Sequence, residues 1–187
     1  MSETSLQGVA VVTGAGQGIG RAIGLRLLRA GCSLLAIGRT GSKLQTLHAE
    51  AGVAEDKVLV AAVDICDSAK VDDSLLRCEQ QLGPIRYLVN AAGVLSPSRL
   101  LDTPVEDIRK TIDINFTSTL LLTQAVARQM VPRNSGSIVT ISSNSGTTPR
   151  TALGAYPASK AGLNHAMKCL GLELAEYGIR CNLGSPG

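Results

Sequence analysis

Residues 8–30 read GVAVVTGAGQGIGRAIGLRLLRA. The β-branched run Gly8–Thr13 predicts a strand, and Ile19–Ala30 repeats apolar residues at three- and four-residue spacing, which predicts a helix capped by Gly31. The turn between them, T-G-x-x-x-G-x-G, offers backbone amides at a helix N-terminus, where the dipole favours an anion. We therefore predict a dinucleotide phosphate as the ligand, with a tight strand-to-helix connection as the alternative.

Short apolar runs alternate with longer amphipathic stretches along the rest of the chain. The further predicted strands are Ser33–Gly38, Lys57–Val63, Arg86–Asn90, Ser137–Ser142 and Ile179–Leu183. The further predicted helices are Ser42–Ala51, Ser68–Leu82, Val105–Met130 and Gly154–Tyr177. This alternation is typical of an α/β fold with a doubly wound parallel sheet (a Rossmann fold), here as a single domain over residues 1–187. Because the chain ends soon after the sixth strand, we expect a C-terminal truncation.

The composition excludes several classes of protein. The 187 residues are 44% hydrophobic and 18% charged, with a net charge of +3. This suits a globular domain, while the weak charge and the absence of a basic run argue against nucleic acid as a partner. No apolar stretch approaches the roughly 18 residues of a membrane span, and Met1–Ser5 lacks the regions of a signal peptide. We expect a cytoplasmic protein without membrane partners.

Cysteine and histidine usage gives no sign of a metal site. The five cysteines contain no C-x-x-C pair: Cys32, Cys66, Cys78, Cys169 and Cys181. In a reducing compartment they are expected to be small buried hydrophobes. His48 and His165 have no other ligand residues at a useful spacing, so no metal is expected.

Several short motifs follow the glycine-rich turn along the chain, most of them directly after a predicted strand. Asp64 follows the third strand, Asn90-Ala91-Ala92-Gly93 follows the fourth, and Ser143 precedes Tyr156 by thirteen residues. With Asn115 and Lys160, these segments resemble the short-chain dehydrogenase/reductase family over the whole chain. The resemblance implies a catalytic set of Asn115, Ser143, Tyr156 and Lys160. It implies nucleotide contacts from Gly14, Gln17, Gly18, Ile19, Gly20, Arg39, Asp64, Ile65, Asn90, Ala91, Gly93, Tyr156, Lys160 and Pro186.

The residue types suit alcohol oxidation. Tyr156 and Lys160 are four apart, about 400° on a helix, so they share one face. A tyrosine hydroxyl ordinarily ionises at a pKa near 10, and a neighbouring ammonium favours the phenolate. Tyr156 is expected to take a proton from a substrate hydroxyl while hydride leaves the same carbon, with Ser143 holding the substrate oxygen. The resemblance implies that Asn115 positions a water that relays the proton.

The substrate prediction depends on the segments around these residues. Leu88-Val89-Asn90-Ala91-Ala92-Gly93-Val94-Leu95, Pro149-Arg150-Thr151 and the run from Lys168 to Asn182 resemble one subfamily, the 2,3-dihydro-2,3-dihydroxybenzoate dehydrogenases of siderophore biosynthesis. The resemblance implies oxidation of that dihydrodiol to 2,3-dihydroxybenzoate. The substrate carries a carboxylate, which a guanidinium can hold in two hydrogen bonds, so we hypothesise that Arg150 binds it. A solvated loop arginine is the alternative.

The end of the second predicted strand bears on the cofactor. An acidic residue there usually binds the adenosine ribose of NAD, but this strand ends Ile37-Gly38-Arg39-Thr40. Gly38 stands where the acid is expected, and Arg39 could pair with the 2′-phosphate of NADP. The resemblance implies NAD, which we expect first, and Arg39 leaves NADP open.

Two other functions stay open. One is an NADPH-dependent ketoreductase, such as a 3-oxoacyl carrier-protein reductase, and the other is a non-catalytic nucleotide-binding module. The resemblance implies a homotetramer acting on a small molecule when the chain is full length. It also implies a substrate-covering C-terminal segment, which this sequence lacks.

Overall fold

The computed structural model describes residues 6–186, so the expectations placed on Met1–Ser5 and Gly187 lie outside it. Within this range the strands are β1 (Val9–Thr13), β2 (Ser33–Gly38), β3 (Val58–Ala62), β4 (Ile85–Asn90), β5 (Gly136–Ile141) and β6 (Ile179–Gly184). They form a parallel sheet in the order β3-β2-β1-β4-β5-β6. The strand order reverses between β1 and β4, which opens a crevice at their carboxyl ends. The predicted doubly wound fold is confirmed.

Helices connect the strands. They are α1 (Gly18–Arg29), α2 (Gly41–Gln45), α3 (Leu47–Ala51), α4 (Ser68–Gln81), α5 (Val105–Ile112), α6 (Thr119–Met130) and α7 (Tyr156–Leu174). A π-helical segment, Asp113–Ser118, joins α5 to α6. Short 3-10 turns lie at Glu55–Lys57, Leu100–Asp102, Val131–Arg133, Asn144–Gly146 and Ala175–Tyr177.

The prediction of one continuous helix over Ser42–Ala51 is wrong, because the helix is interrupted at Thr46, between α2 and α3. The Thr46 hydroxyl donates to the Lys43 carbonyl at 3.4 Å, and Arg21 donates to the same carbonyl at 2.6 Å. Side chains thus occupy a carbonyl that a continuous helix would use in its own ladder. The spacing of apolar residues does not predict hydrogen bonds from side chains to a helix carbonyl, so it did not predict this interruption.

The predicted α-helix Val105–Met130 needs a similar correction, because its middle six residues are π-helical. The Thr119 hydroxyl donates to the Ile114 carbonyl five residues earlier, at 3.1 Å. A π-helical turn often marks a functional site, and this one contains Asn115.

The core lies on both faces of the sheet. Along β1, Val9 and Val11 join one apolar cluster, whereas Ala10 and Val12 join the cluster on the opposite face. All four are at most 2% exposed. Burial on both faces explains why the central strands are continuous apolar runs.

The end of α1 confirms the predicted glycine cap. Gly31 has a φ of +104°, its amide donates to the Leu28 carbonyl at 3.0 Å, and the Cys32 amide donates to the Leu27 carbonyl at 3.1 Å. This pair of bonds is a Schellman motif, which satisfies the last carbonyls of the helix. Glycine adopts the positive φ without strain.

The cysteine prediction is only partly right. Cys32 and Cys78 are buried, and burial raises the pKa of the Cys78 thiol to about 12. Cys66 and Cys169 are exposed, and Cys181 is half-buried. Cys66 follows β3 at the rim of the sheet and Cys169 lies on the outer face of α7, positions that composition alone does not reveal.

Candidate active site

The glycine-rich turn between β1 and α1 packs against the loop that follows β4. The Thr13 hydroxyl accepts hydrogen bonds from the backbone amides of Ala91 (3.0 Å) and Ala92 (3.1 Å). A Cβ on Gly20 would lie 2.5 Å from the Gly14 carbonyl oxygen, and one on Gly14 would lie 2.9 Å from the Ala91 carbonyl oxygen. Because both neighbours are backbone atoms, these positions accommodate glycine alone.

The N-terminus of α1 is open to an anion. The side chain of its N-cap residue, Gln17, accepts no hydrogen bond from the first turn, and that turn contains no acidic residue. A Cβ on Gly18 would meet no atom within 4 Å, so the turn faces open space. Unoccupied amides and a helix dipole at such an opening suit a phosphate group. These residues therefore fit the pyrophosphate of a dinucleotide.

A cavity of about 460 Å³, the nucleotide cleft, runs from this turn along the carboxyl ends of the strands. It gathers most of the predicted nucleotide-binding residues: Gly14, Gln17, Gly18, Ile19, Gly20, Arg39, Asp64, Ile65, Ala91 and Gly93. The topology brings them together, because the loops after parallel strands meet at one edge of the sheet.

The end of the nucleotide cleft next to β2 is cationic. Arg39, Thr40 and Lys43 line it, and the Lys43 ammonium donates to the Gln17 side-chain oxygen at 3.0 Å. Arg39 is exposed and forms no ion pair or side-chain hydrogen bond with residues 6–186. The acidic residue lining the described cleft, Asp64, accepts a bond from the Cys66 amide at 3.0 Å.

A second cavity, also of about 460 Å³, adjoins the nucleotide cleft, and we call it the catalytic cleft. The two cavities share a wall made of Ile19 and residues 91–94. The catalytic cleft is also lined by Leu95, Ile141, Ser142, Ser143, Asn144, Ser145, Arg150, Leu153, Tyr156, Lys160 and Pro186. Four of the predicted catalytic and substrate residues therefore line one space, namely Ser143, Arg150, Tyr156 and Lys160. Pro186 lies here rather than in the nucleotide cleft.

Ser143 is presented as a hydrogen-bond donor at the end of β5. Its hydroxyl oxygen accepts bonds from the Ser145 amide (3.2 Å) and the Ser145 hydroxyl (2.9 Å). Since both bonds use oxygen lone pairs, the Ser143 proton is not taken up by them and can be donated to a group in the catalytic cleft. Such a donor suits an alcohol or carbonyl oxygen of a bound substrate.

Tyr156 and Lys160 lie one turn apart on α7, as their spacing predicts. The Lys160 ammonium is 5.7 Å from the centroid of the Tyr156 ring and donates to the Ile141 carbonyl at 2.9 Å. Lys160 is 4% exposed, and burial lowers its pKa from 10.5 to about 8. A buried ammonium next to a phenol is an arrangement that can assist proton transfer at neutral pH.

We expect the Lys160 ammonium to titrate well below the ordinary lysine pKa of 10.5. Its side-chain ¹³Cε resonance should show a midpoint of about pH 8, against an ordinary value of 10.5. The unfolded chain holds this proton up to a higher pH than the folded protein does. The free energy of unfolding should therefore rise as pH increases from about 8 to about 10.5. The resonance is assigned by its loss in Lys160→Met, and a midpoint near 10.5 would contradict the prediction.

Two predicted site residues lie behind the clefts. Asn90 is 2% exposed, and its amide donates to the hydroxyls of Thr123 (2.8 Å) and Thr140 (3.0 Å), so it joins β4 to β5 and α6. Asn115 is fully buried, and its amide exchanges two 2.8 Å bonds with the Val94 backbone. Neither lines a cleft, so a nucleotide contact by Asn90 and a water held by Asn115 stay predictions.

Sequence analysis did not identify the residues that hold Ser143 against α7. The Ser142 hydroxyl donates to the Asn164 side-chain oxygen, and both residues are buried. A Cβ on Gly146 would lie 2.8 Å from Asn164 Nδ2 and 3.0 Å from the Lys160 carbonyl carbon. These contacts join residues that are 14 or more positions apart in the chain, so a local sequence motif does not predict them.

No helix within residues 6–186 is long and apolar enough to cross a membrane. No group of three or more histidine, cysteine, aspartate or glutamate side chains in that range is placed to hold a metal ion.

Known proteins are similar to this chain in sequence and in fold. Residues 8–187 match the short chain dehydrogenase family. A 2,3-dihydro-2,3-dihydroxybenzoate dehydrogenase of Bacillus subtilis (strain 168) is 41% identical over 192 residues, covering 100% of this chain and 72% of the relative. The vibriobactin-specific enzyme of the same name from Vibrio cholerae is 35% identical over 178 residues, with coverage of 95% and 68%. The crystal structure of NAD⁺-bound xylitol dehydrogenase superposes with a TM-score of 0.90 at 31% identity, covering 96% of this chain and 69% of that one.

The chain belongs to the short-chain dehydrogenase family. It is an oxidoreductase that uses a nicotinamide cofactor and acts on a small molecule.

Proposed function

We propose that this protein oxidises 2,3-dihydro-2,3-dihydroxybenzoate to 2,3-dihydroxybenzoate, with NAD as the hydride acceptor, as a step of siderophore biosynthesis. The observation that carries the proposal is the composition of the catalytic cleft. Ser143 brings a hydroxyl donor, Tyr156 a phenol beside a buried ammonium, and Arg150 a guanidinium that forms no ion pair with residues 6–186, and all three residues line one cavity. Two relatives bear the name of this activity.

The residues of the catalytic cleft divide the reaction between them. Ser143 donates a hydrogen bond to the reacting substrate oxygen, and Tyr156 accepts the proton that this oxygen loses. Lys160 supplies positive charge beside the phenolate. A nicotinamide held beside the catalytic cleft would supply the acceptor for the hydride that leaves the carbon bearing this oxygen. The ketone formed tautomerises to a catechol, and the gain in aromaticity drives the oxidation forward.

The nucleotide cleft positions the cofactor. The first turn of α1 would hold the pyrophosphate, and the shared wall of Ile19 and residues 91–94 would place the nicotinamide next to the catalytic cleft. Tyr156 and Lys160 line the same cleft as that wall, so the groups that take the hydride and the proton would both lie close to one bound substrate.

The activity is tested by following reduced nicotinamide absorbance with the dihydrodiol and either NAD or NADP. Reduction of NAD that depends on the dihydrodiol supports the proposal. Absence of reduction with both cofactors, while nucleotide binding is retained, would overturn the substrate assignment.

We expect Arg150→Ala to weaken binding of the substrate carboxylate. A charge-assisted hydrogen bond at an exposed side chain is worth about 1.4 kcal/mol, so KM for the dihydrodiol should rise about tenfold with kcat little changed. Steady-state kinetics measure this, with Arg128→Ala on the exposed face of α6 as the matched control. An unchanged KM in Arg150→Ala would return Arg150 to the status of a solvated loop residue.

A second candidate is NADPH-dependent reduction of a ketone, favoured by the cationic end of the nucleotide cleft. Arg39 and Lys43 line the position where a 2′-phosphate would lie, and no acidic residue of the described chain lines the cleft immediately after β2. Turnover of ketones with NADPH, together with inactivity toward the dihydrodiol, would select this function.

The contribution of Arg39 to cofactor choice is measurable. We expect Arg39→Ala to lower kcat/KM for NADP about tenfold and to change that for NAD less than about twofold, because only NADP carries the phosphate that Arg39 would pair with. Equal changes for both cofactors would show that Arg39 does not contact the 2′-position.

A further inference from the structure

Ser159 is a buried residue of α7 that lines neither cleft and has no part in the reaction described above. It is 1% exposed. Its hydroxyl donates to the Tyr156 carbonyl oxygen at 2.7 Å and accepts from Asn115 Nδ2 at 3.1 Å. A single hydroxyl therefore joins the backbone of Tyr156 to the π-helical segment Asp113–Ser118.

Asn115 extends this connection to the wall between the clefts. Its Nδ2 also donates to the Val94 carbonyl, and its Oδ1 accepts from the Val94 amide, both at 2.8 Å. Both polar atoms of the amide thus have partners, and the group is fully buried. A satisfied buried network of this kind holds its members rigidly.

The bond between Asn115 and Ser159 is separate from the hydrogen bonds that α7 makes within itself. Tyr156 is the first residue of α7, its amide donates to the Leu153 carbonyl at 3.1 Å, and the N-cap residue, Ala155, provides no side-chain hydrogen bond. The bond from Asn115 therefore joins this first turn to a different segment of the fold through a side chain.

We propose that Ser159 is a positioning residue for Tyr156: its hydroxyl fastens the first turn of α7 to Asn115 and so sets the place of the phenol relative to the shared wall at Val94. The proposal rests on the proposed role of Tyr156 as the proton acceptor. Ser159 itself touches neither substrate nor cofactor.

Ser74 provides a matched control. It lies on α4, is 6% exposed, and its hydroxyl donates to the Lys70 carbonyl at 2.7 Å. Ser74→Ala and Ser159→Ala remove the same kind of bond from the same kind of position. Only Ser159 is connected to the catalytic cleft.

The test compares steady-state kinetics of the two alanine variants. We expect Ser159→Ala to lower kcat about tenfold to hundredfold, because small displacements of a reacting group have effects of that size, with KM for the nucleotide changed less than about twofold. Ser74→Ala should keep the wild-type kcat. Equal kcat values in the two variants would overturn the proposal, since loss of a buried hydroxyl alone would then explain both.

A second readout is independent of the substrate and decides the question if the wild-type protein does not oxidise the dihydrodiol. Loosening the first turn of α7 should admit water to the Lys160 ammonium. Its ¹³Cε titration midpoint should then move upward from about 8 toward 10.5 in Ser159→Ala but not in Ser74→Ala. An unmoved midpoint would overturn the proposal in that case, whereas inactivity of the wild type alone overturns only the substrate assignment.

Discussion

Replacing Tyr156 with phenylalanine is expected to lower kcat about 1,000-fold, because the variant has no group to accept the substrate proton. The fold should be retained, since Tyr156 is only half-buried and its ring stays in place. Nucleotide affinity should change less than about tenfold, since most of the nucleotide cleft is formed by other residues. Single-turnover kinetics with the dihydrodiol and a separate nucleotide titration measure the two quantities.

Tyr177→Phe is the control for this substitution. Tyr177 lies in the 3-10 turn that follows α7 and lines neither cleft, so its variant should keep full activity. A Tyr156→Phe protein that retained more than about a tenth of the wild-type kcat would show that another group accepts the proton.

Gly20→Ala is expected to lower the free energy of unfolding by about 3 kcal/mol and to abolish nucleotide binding. The new Cβ would lie 2.5 Å from the Gly14 carbonyl oxygen and 2.9 Å from the Thr13 carbonyl oxygen. Because these are backbone atoms, the turn must move to make room, and it carries the amides that face the phosphate. Urea denaturation and nucleotide titration measure both effects.

Gly24→Ala, on the same helix, is the matched control. Its Cβ would meet only the Leu34 Cδ2 methyl, at 3.3 Å, and a side chain can yield where backbone cannot. The stability change should stay within about 1 kcal/mol, since alanine is the better helix former. Similar losses in both variants would mean that the close approach at Gly20 is not what makes that position sensitive.

Local patterns predicted the parts of the molecule that depend on neighbouring residues. The glycine-rich turn, the Gly31 cap and the four-residue step from Tyr156 to Lys160 were all visible, because each depends on residues within one or two helical turns. The alternation of apolar runs with amphipathic stretches indicated the parallel sheet. Boundaries were less certain where a side chain from elsewhere intervened, as Arg21 does at Thr46.

Local sequence patterns did not predict the side-chain contacts that join different strands and helices. The Asn90 amide lies in the core and donates to two threonine hydroxyls. The Asn115 amide binds the Val94 backbone. The nucleotide contact predicted for Asn90 and the water predicted for Asn115 stay predictions, because a motif shows which residue occurs and not which contacts its side chain makes in the folded chain.

The order of residues along this chain was enough to predict an α/β sheet and a glycine-rich turn suited to phosphate, since strands, turns and helical spacing follow from short-range sterics and apolar burial. The short-chain dehydrogenase family was indicated separately, by the resemblance of several motifs in the same order along the chain. Folding alone placed Arg150, Ser143 and Tyr156 around one cavity, left the β2 end of the nucleotide cleft cationic, and buried the Lys160 ammonium deeply enough to lower its pKa. Those properties depend on distances between residues far apart in the chain and on the exclusion of water, which arise only when the elements pack together.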